Sequence, residues 1–235
     1  MKKIKIYTFI AVMIASFSFQ GCTNLDEEVY DKLPVDKFGT NSKEVNSLIA
    51  PIYRTLKGVW PSNYFYMSEC SADMAVTPTR KGGDWWDGGQ FKELRFHTWT
   101  PSTSMVTNSY NHAFSSITLC NKIFAMINDN PSIEDKEQIL AEIRGVRAFW
   151  YYILLDYYGN VPIATDFKDT TLPTTKTRAE VYKFVLDELN AIKDIVRSDV
   201  SSASYGKMTK GVVYTLLAKM YLNAMVWNPA GGAKR

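Results

Sequence analysis

Residues 132–159 read SIEDKEQILAEIRGVRAFWYYILLDYYG. Ile139, Ile143, Val146, Trp150, Ile153 and Tyr157 recur every three or four positions, the spacing of one face of an α-helix. Ser132-Ile-Glu-Asp135 reads as a capping box, which predicts a helix over 133–157. Gly159 suits the stop, and Pro162 follows it. A helix this long with one apolar face needs a partner to cover that face. Arg144 and Arg147 are expected on its solvated or capped side. Tyr151, Tyr152, Tyr157 and Tyr158 are expected to pack between helices, with contact to a protein partner as their other use.

Four more segments carry the same period. Residues 42–57 place Val45, Leu48, Ile49, Ile52, Tyr53 and Leu56 in a stripe. Residues 104–127 do so with Val106, Tyr110, Ala113, Phe114, Ile117, Cys120, Phe124 and Ile127. Thr177-Arg-Ala-Glu180 is a second capping box, opening a helix to about 197 along Val181, Val185, Leu189, Ile192 and Val196. The last predicted helix covers 209–227. With the chain stopping at Arg235, Val212, Val213, Leu216, Leu217, Met220 and Tyr221 are expected to be partly wet. No sustained alternation marks a strand, so the fold class is mainly α. Similar helix lengths and short connections suggest antiparallel pairs stacked in a tetratricopeptide-like way. No 34-residue repeat is visible in the residues themselves.

Residues 60–103 break the pattern. They are rich in Gly, Pro, Ser, Thr and Trp, and read as a long loop, which inside a folded domain is usually functional. At the centre is Thr77-Pro-Thr-Arg-Lys-Gly-Gly-Asp-Trp-Trp-Asp-Gly-Gly-Gln90. Glycines give two adjacent indoles little cover. Flat sugar faces stack on aromatic rings, and their hydroxyls need paired acceptors and donors of the kind Asp and Arg supply. Trp85 and Trp86 with Asp73, Arg80 and Asp84 form such a kit, and Trp99 lies just beyond. The same tryptophans would also serve as a satellite core folded back under the loop. The glycines form neither GxGxxG nor a phosphate loop, and Asp84 and Asp87 lack the calcium-loop rhythm. Glu69, Asp73, Asp84, Asp87 and Glu93 could supply the two carboxylates of a glycosidase, a reading that needs a fixed separation between them.

Composition sets the outer bounds. The 235 residues are 46% hydrophobic and 22% charged, enough apolar material for a core, and 14% aromatic, an excess that points to binding surfaces. The net charge of +3 comes from Lys2, Lys3 and Lys5, because residues 1–21 hold no acid. Without them the charges cancel, so no basic field remains to attract nucleic acid. Residues 1–5 are basic and residues 6–19 uncharged, a run too short to cross a bilayer but fit for a signal peptide. Phe19-Gln20-Gly21-Cys22 then resembles a bacterial lipoprotein cleavage site. Residues 1–21 are read as the signal peptide, 22–41 as a tether beginning at a lipidated Cys22, and 42–235 as the folded domain. Lipid chains on Cys22 would hold the protein to a bilayer through buried methylenes. The acidic stretch after Cys22 resembles the surface-export signal of Bacteroidetes lipoproteins, and reads equally as a solvated tether. Cys70 and Cys120 could pair in an oxidising compartment, though Cys120 lies in an apolar pattern where a buried thiol is commoner. No cysteine or histidine spacing suggests a metal, and no cofactor is expected.

Several separate stretches, in order, carry a family resemblance. They are Cys22-Thr-Asn-Leu-Asp26, the Pro78-Thr-Arg80 to Gly89 loop with Asp84-Trp-Trp-Asp87, and Ala141-Glu-Ile-Arg-Gly-Val-Arg-Ala-Phe-Trp-Tyr-Tyr152. Further on come Tyr157-Tyr-Gly-Asn-Val-Pro-Ile163 and Lys210-Gly-Val-Val-Tyr-Thr-Leu-Leu-Ala-Lys-Met-Tyr-Leu222. Together they resemble the N-terminal part of SusD/RagB-like lipoproteins, the starch-utilisation-system D type. The resemblance implies a mostly helical, tetratricopeptide-like scaffold in a longer fold whose C-terminal part this chain lacks. It implies a non-catalytic, surface-exposed lipoprotein of the outer membrane that binds an oligosaccharide or polysaccharide. The implied protein partner is a TonB-dependent outer-membrane transporter. The competing functions are a tetratricopeptide-like interaction scaffold without sugar affinity and a secreted hydrolase.

Overall fold

The computed structural model describes residues 41–59, 63–78 and 89–229. Three long helices form its spine. They are α4 (Ser104–Asp129), α5 (Lys136–Tyr157) and α6 (Arg178–Ile192), with α4 packed along α5 and α5 along α6. Ahead of them are α1 (Ser42–Leu56), α2 (Asn63–Ser71) and α3 (Gln90–Arg95). After them come α7 (Lys210–Leu222) and α8 (Ala224–Trp227). A two-residue antiparallel pair, β1 (Val161–Pro162) with β2 (Thr175–Lys176), joins α5 to α6. The mainly helical fold stands, with this short pairing as an addition that period-two patterning is too brief to reveal.

The apolar stripes become one continuous core. Ile49 and Ile52 of α1, Ala113, Ile117 and Ile127 of α4, Ile143, Val146 and Trp150 of α5, and Val185 and Leu189 of α6 are all buried in it. Close approach needs a missing side chain at one point on α5, where a Cβ on Gly145 would sit 2.5 Å from Met208 Cγ. The capping box at Thr177 is present in full. Its counterpart at Ser132 is not. Helix α5 starts only at Lys136, and its cap residue Asp135 takes φ +50° with no side-chain cap bond. The Ser132 amide instead donates to Asn130 Oδ1 at 2.9 Å, so a local turn has captured the group that would have opened the helix.

Three expectations are corrected. Residues 60–103 are not one loop, because α2 and α3 lie within them and bury Met67, Cys70, Phe91 and Leu94 with Met105 in a second, smaller cluster. The last helix is interrupted at Asn223, and its inner side is well covered. Val213, Leu216, Leu217 and Met220 are buried, whereas Val212 and Tyr221 are exposed together with Tyr214, Leu222, Met225 and Val226. Arg147 does not face solvent, and Arg144 is half-buried rather than free on a solvated face. Arg147 is only 5% exposed, and both guanidinium groups converge on Glu188 of α6.

That convergence ties three helices to the chain that leaves β1. Arg147 donates to Glu188 Oε2 at 2.9 Å, to Asn121 Oδ1 of α4 at 2.8 Å and to the Thr165 carbonyl at 3.1 Å. Arg144 forks onto both oxygens of Glu188, at 2.8 and 3.2 Å. Burial pushes the Glu188 carboxyl up, but the two guanidinium groups outweigh it and hold the acid below its ordinary range. Tyr151, fully buried, exchanges hydrogen bonds with the Ala164 carbonyl and amide at 3.0 and 2.8 Å, so this tyrosine packs between elements as expected.

The two described cysteines are buried and are not joined in a disulfide. Burial raises the Cys120 thiol to about 12, which keeps it protonated and inert.

A half-buried histidine gives this core a pH dependence. His112 stacks edge-on against Trp150, with ring centroids 5.0 Å apart, and lies against Gly58. Desolvation lowers its pKa below the ordinary histidine value. The folded state therefore favours the neutral ring. Stability is fully present above the unfolded value of about 6.5, and is lost as pH falls from there toward the lower folded value. Urea denaturation between pH 5 and 7 is expected to show declining stability on the acid side. His112→Phe is expected to flatten that slope.

Candidate functional site

Helices α2 and α3 end in the same way, and those endings build the site. Each closes in a Schellman motif. At α2 the Met74 amide donates to the Glu69 carbonyl at 3.0 Å, and at α3 the Thr98 amide donates to the Glu93 carbonyl at 2.9 Å. Such a cap requires a left-handed residue, usually glycine. Here Asp73 and His97 occupy it, at φ +56° and +54°. Asp and His tolerate this region better than most side chains, at some cost in strain. Both side chains are thereby thrown outward where their helices stop.

The two ends are tied together. His97 Nε2 lies 2.8 Å from the Ser71 carbonyl, and the Arg95 guanidinium lies 4.0 Å from the Asp73 carboxylate. That ion pair is well exposed, so it orients more than it stabilises. The His97 ring meets Trp99 edge-on at 5.2 Å. Thr103 then anchors the following segment by donating to Glu93 Oε2 at 2.8 Å, and the Met105 amide donates to Gln90 Oε1 at 3.1 Å. Trp99 is left 41% exposed, and Met74, Val76 and Phe96 on the same two chain segments are exposed as well. Exposed apolar side chains in segments that also carry an acid, a guanidinium and an imidazole have the composition of a candidate binding surface.

A recess of about 350 Å³ opens beside Trp99. Its walls include Leu94, Val106, Asp156 and the rings of Tyr157 and Tyr158. The two tyrosines are fixed, because Tyr157 donates to the Tyr64 carbonyl and Tyr158 to the Val106 carbonyl, each at 2.8 Å. They serve helix packing and form a rigid wall at once. Among the described residues no group of three or more His, Cys, Asp or Glu side chains is placed to hold a metal, and no helix is long and apolar enough to cross a membrane.

Of the six side chains singled out for a sugar, the structure brings Asp73 and Trp99 to one face. Arg80, Asp84, Trp85 and Trp86 lie outside the described residues, as does Cys22. Arg95, His97 and Asp156 were missed. A histidine two residues from a tryptophan was a usable signal. Asp156 offered a subtler one, an acid in the last turn of a helix, where the dipole disfavours it.

A family model described as starch-binding and associating with the outer membrane matches residues 24–222. The chain belongs to the SusD-like family. The starch-binding protein SusD of Bacteroides thetaiotaomicron is 29% identical over 145 residues, covering 61% of this chain and 25% of SusD. SusD-like protein P2 of Formosa agariphila is 24% identical over 232 residues, covering 94% of this chain and 43% of that protein. The chain thus spans less than half the length of these relatives. Among solved structures, a laminarin-binding SusD-like protein aligns with a TM-score of 0.66 at 20% identity, over 78% of this chain and 40% of its own. Surface glycan-binding protein A of Bacteroides thetaiotaomicron, in complex with laminarihexaose, aligns at 0.63 and 20% identity, over 79% and 40%. At such identities the likeness speaks for the SusD-like fold alone.

Proposed function

We propose that this SusD-like chain binds a glycan on the face built by the ends of α2 and α3 and does no chemistry on it. The observation that carries the reading is the exposed Trp99 ring, held by His97 beside the Asp73–Arg95 pair. A sugar ring would stack its C–H face on the indole, while Asp73 and Arg95 meet hydroxyls at the rim. Arg80, Asp84, Trp85 and Trp86 belong to the proposal on their sequence. In sequence they fall between Pro78 and Gly89, and they carry the aromatic and polar groups that a longer glycan would need.

The anchoring part of the proposal rests on residues 1–41. Residues 1–21 are a signal peptide, Cys22 carries the lipid, and residues 22–41 tether the domain over 42–235 at the cell surface. There the bound glycan would be handed to a TonB-dependent outer-membrane transporter. Metabolic labelling with a fatty-acid analogue is expected to mark the wild type and not Cys22→Ala. An unlabelled wild type contradicts the anchor.

A carbohydrate array probed with the full chain tests the binding reading. Retention of one glycan class by the wild type is expected, with Trp99→Ala losing roughly tenfold to a hundredfold in affinity, as stacking anchors do. Equal retention by both proteins contradicts the Trp99 platform. Capture of a transporter without any glycan retention would instead favour the interaction-scaffold reading.

A further inference from the structure

The recess beside Trp99 adds a restriction on which glycan fits. We infer that it is a subsite for an uncharged sugar unit, with Asp156 accepting that unit's hydroxyls and turning away uronate and sulfated units. The inference rests on the glycan reading above and deepens it. A volume of about 350 Å³ falls at the low end of the roughly 300–1,000 Å³ typical of small-molecule sites, suited to one sugar rather than a chain. Trp99 lines the recess together with Tyr157 and Tyr158, whose hydroxyls are fixed by hydrogen bonds to backbone carbonyls. Among the described residues that line the recess, tyrosines aside, Asp156 is the one acid or base.

Stability does not account for an acid at this position. Asp156 sits in the last turn of the 22-residue helix α5, where the helix dipole opposes negative charge. Among the described residues it forms no ion pair. Although its surface is open to solvent, the concave wall desolvates its carboxyl and raises it, with Lys219 and Arg178 drawing it back down from a distance. A carboxylate on this wall accepts hydroxyl hydrogen bonds strongly, because its charge strengthens each bond. The same charge repels a second carboxylate or a sulfate brought into the recess, and such like-charge contacts are how sites reject near relatives of their ligand.

Wild type, Asp156→Asn, Asp156→Ser and Trp99→Ala, all as the full chain, are titrated with laminarihexaose, maltohexaose and hexamannuronate. Wild type is expected to bind a neutral probe at least about tenfold more tightly than the uronate. Asp156→Asn should weaken neutral binding roughly tenfold, the loss of one charged hydrogen bond, and narrow the gap to the uronate. Trp99→Ala should lose affinity for every probe. If both Asp156 variants match wild type on all probes, or wild type prefers the uronate, the subsite is overturned while a defective Trp99→Ala keeps the platform standing. If Trp99→Ala binds like wild type, or wild type binds none of the probes, the platform reading falls and the subsite with it.

Discussion

Arg147→Ala is expected to unfold the domain more readily than a substitution at any other polar position described here. Its guanidinium is buried and holds Glu188, Asn121 and the Thr165 carbonyl at once. Alanine removes the cation and leaves a mostly buried carboxylate with Arg144 as its one remaining guanidinium. Breaking a buried pair from one side costs about 3–5 kcal/mol, against a total stability of about 5–15 kcal/mol for a typical domain. Lysine should rescue little, because a single ammonium cannot fork between Glu188 and Asn121. The acid limb of stability also changes. In wild type the depressed Glu188 pKa supplies stability that is present above the unfolded value and lost as pH falls through the folded one. In Arg147→Met that contribution should shrink, leaving a shallower loss below about pH 4.5. Chemical denaturation across pH checks both effects, and a variant as stable as wild type contradicts them.

Trp150→Ala should be comparably damaging for a different reason. Trp150 is fully buried, and its indole nitrogen donates to Thr55 Oγ1 of α1 at 3.2 Å. Its ring also meets Tyr64 of α2 at 6.0 Å and His112 of α4 at 5.0 Å. Four helices therefore share one side chain, and none can close the space it leaves. A loss of about 3–5 kcal/mol is expected from transfer and cavity costs together. Thr55 remains satisfied through its own bond to the Ile52 carbonyl, so the loss should come from packing. Trp150→Phe should recover part of the loss, and thermal melts of the two variants separate these contributions.

The helices were readable because each buries one stripe, and the stripe's period survives in the sequence. Val181, Val185, Leu189 and Ile192 face the core as their spacing implies. Helix α2 was hidden because Tyr64, Met67 and Cys70 are buried among Phe, Tyr and Ser residues that blur any polar face. Helix α3 has only six residues, fewer than two turns, so no period can repeat. The roles of Arg144 and Arg147 depend on Glu188, more than forty residues on and in another helix. Nothing local announces such a partner. At the site, Asp73 and Trp99 were legible by residue type. The pairing of Asp73 with Arg95 and of Trp99 with His97 was not, because the caps at the two helix ends use Asp and His where glycine is the usual mark.

Hydrogen exchange of the full chain, with and without the glycan that the array selects, tests most directly whether the ends of α2 and α3 form the binding face. Protection on ligand addition is expected across residues 68–76 and 93–100, which contain Asp73, Arg95, His97 and Trp99, and at 156–158 along the recess. Protection confined to residues outside these segments, with those segments exchanging as they do in the free protein, would contradict it.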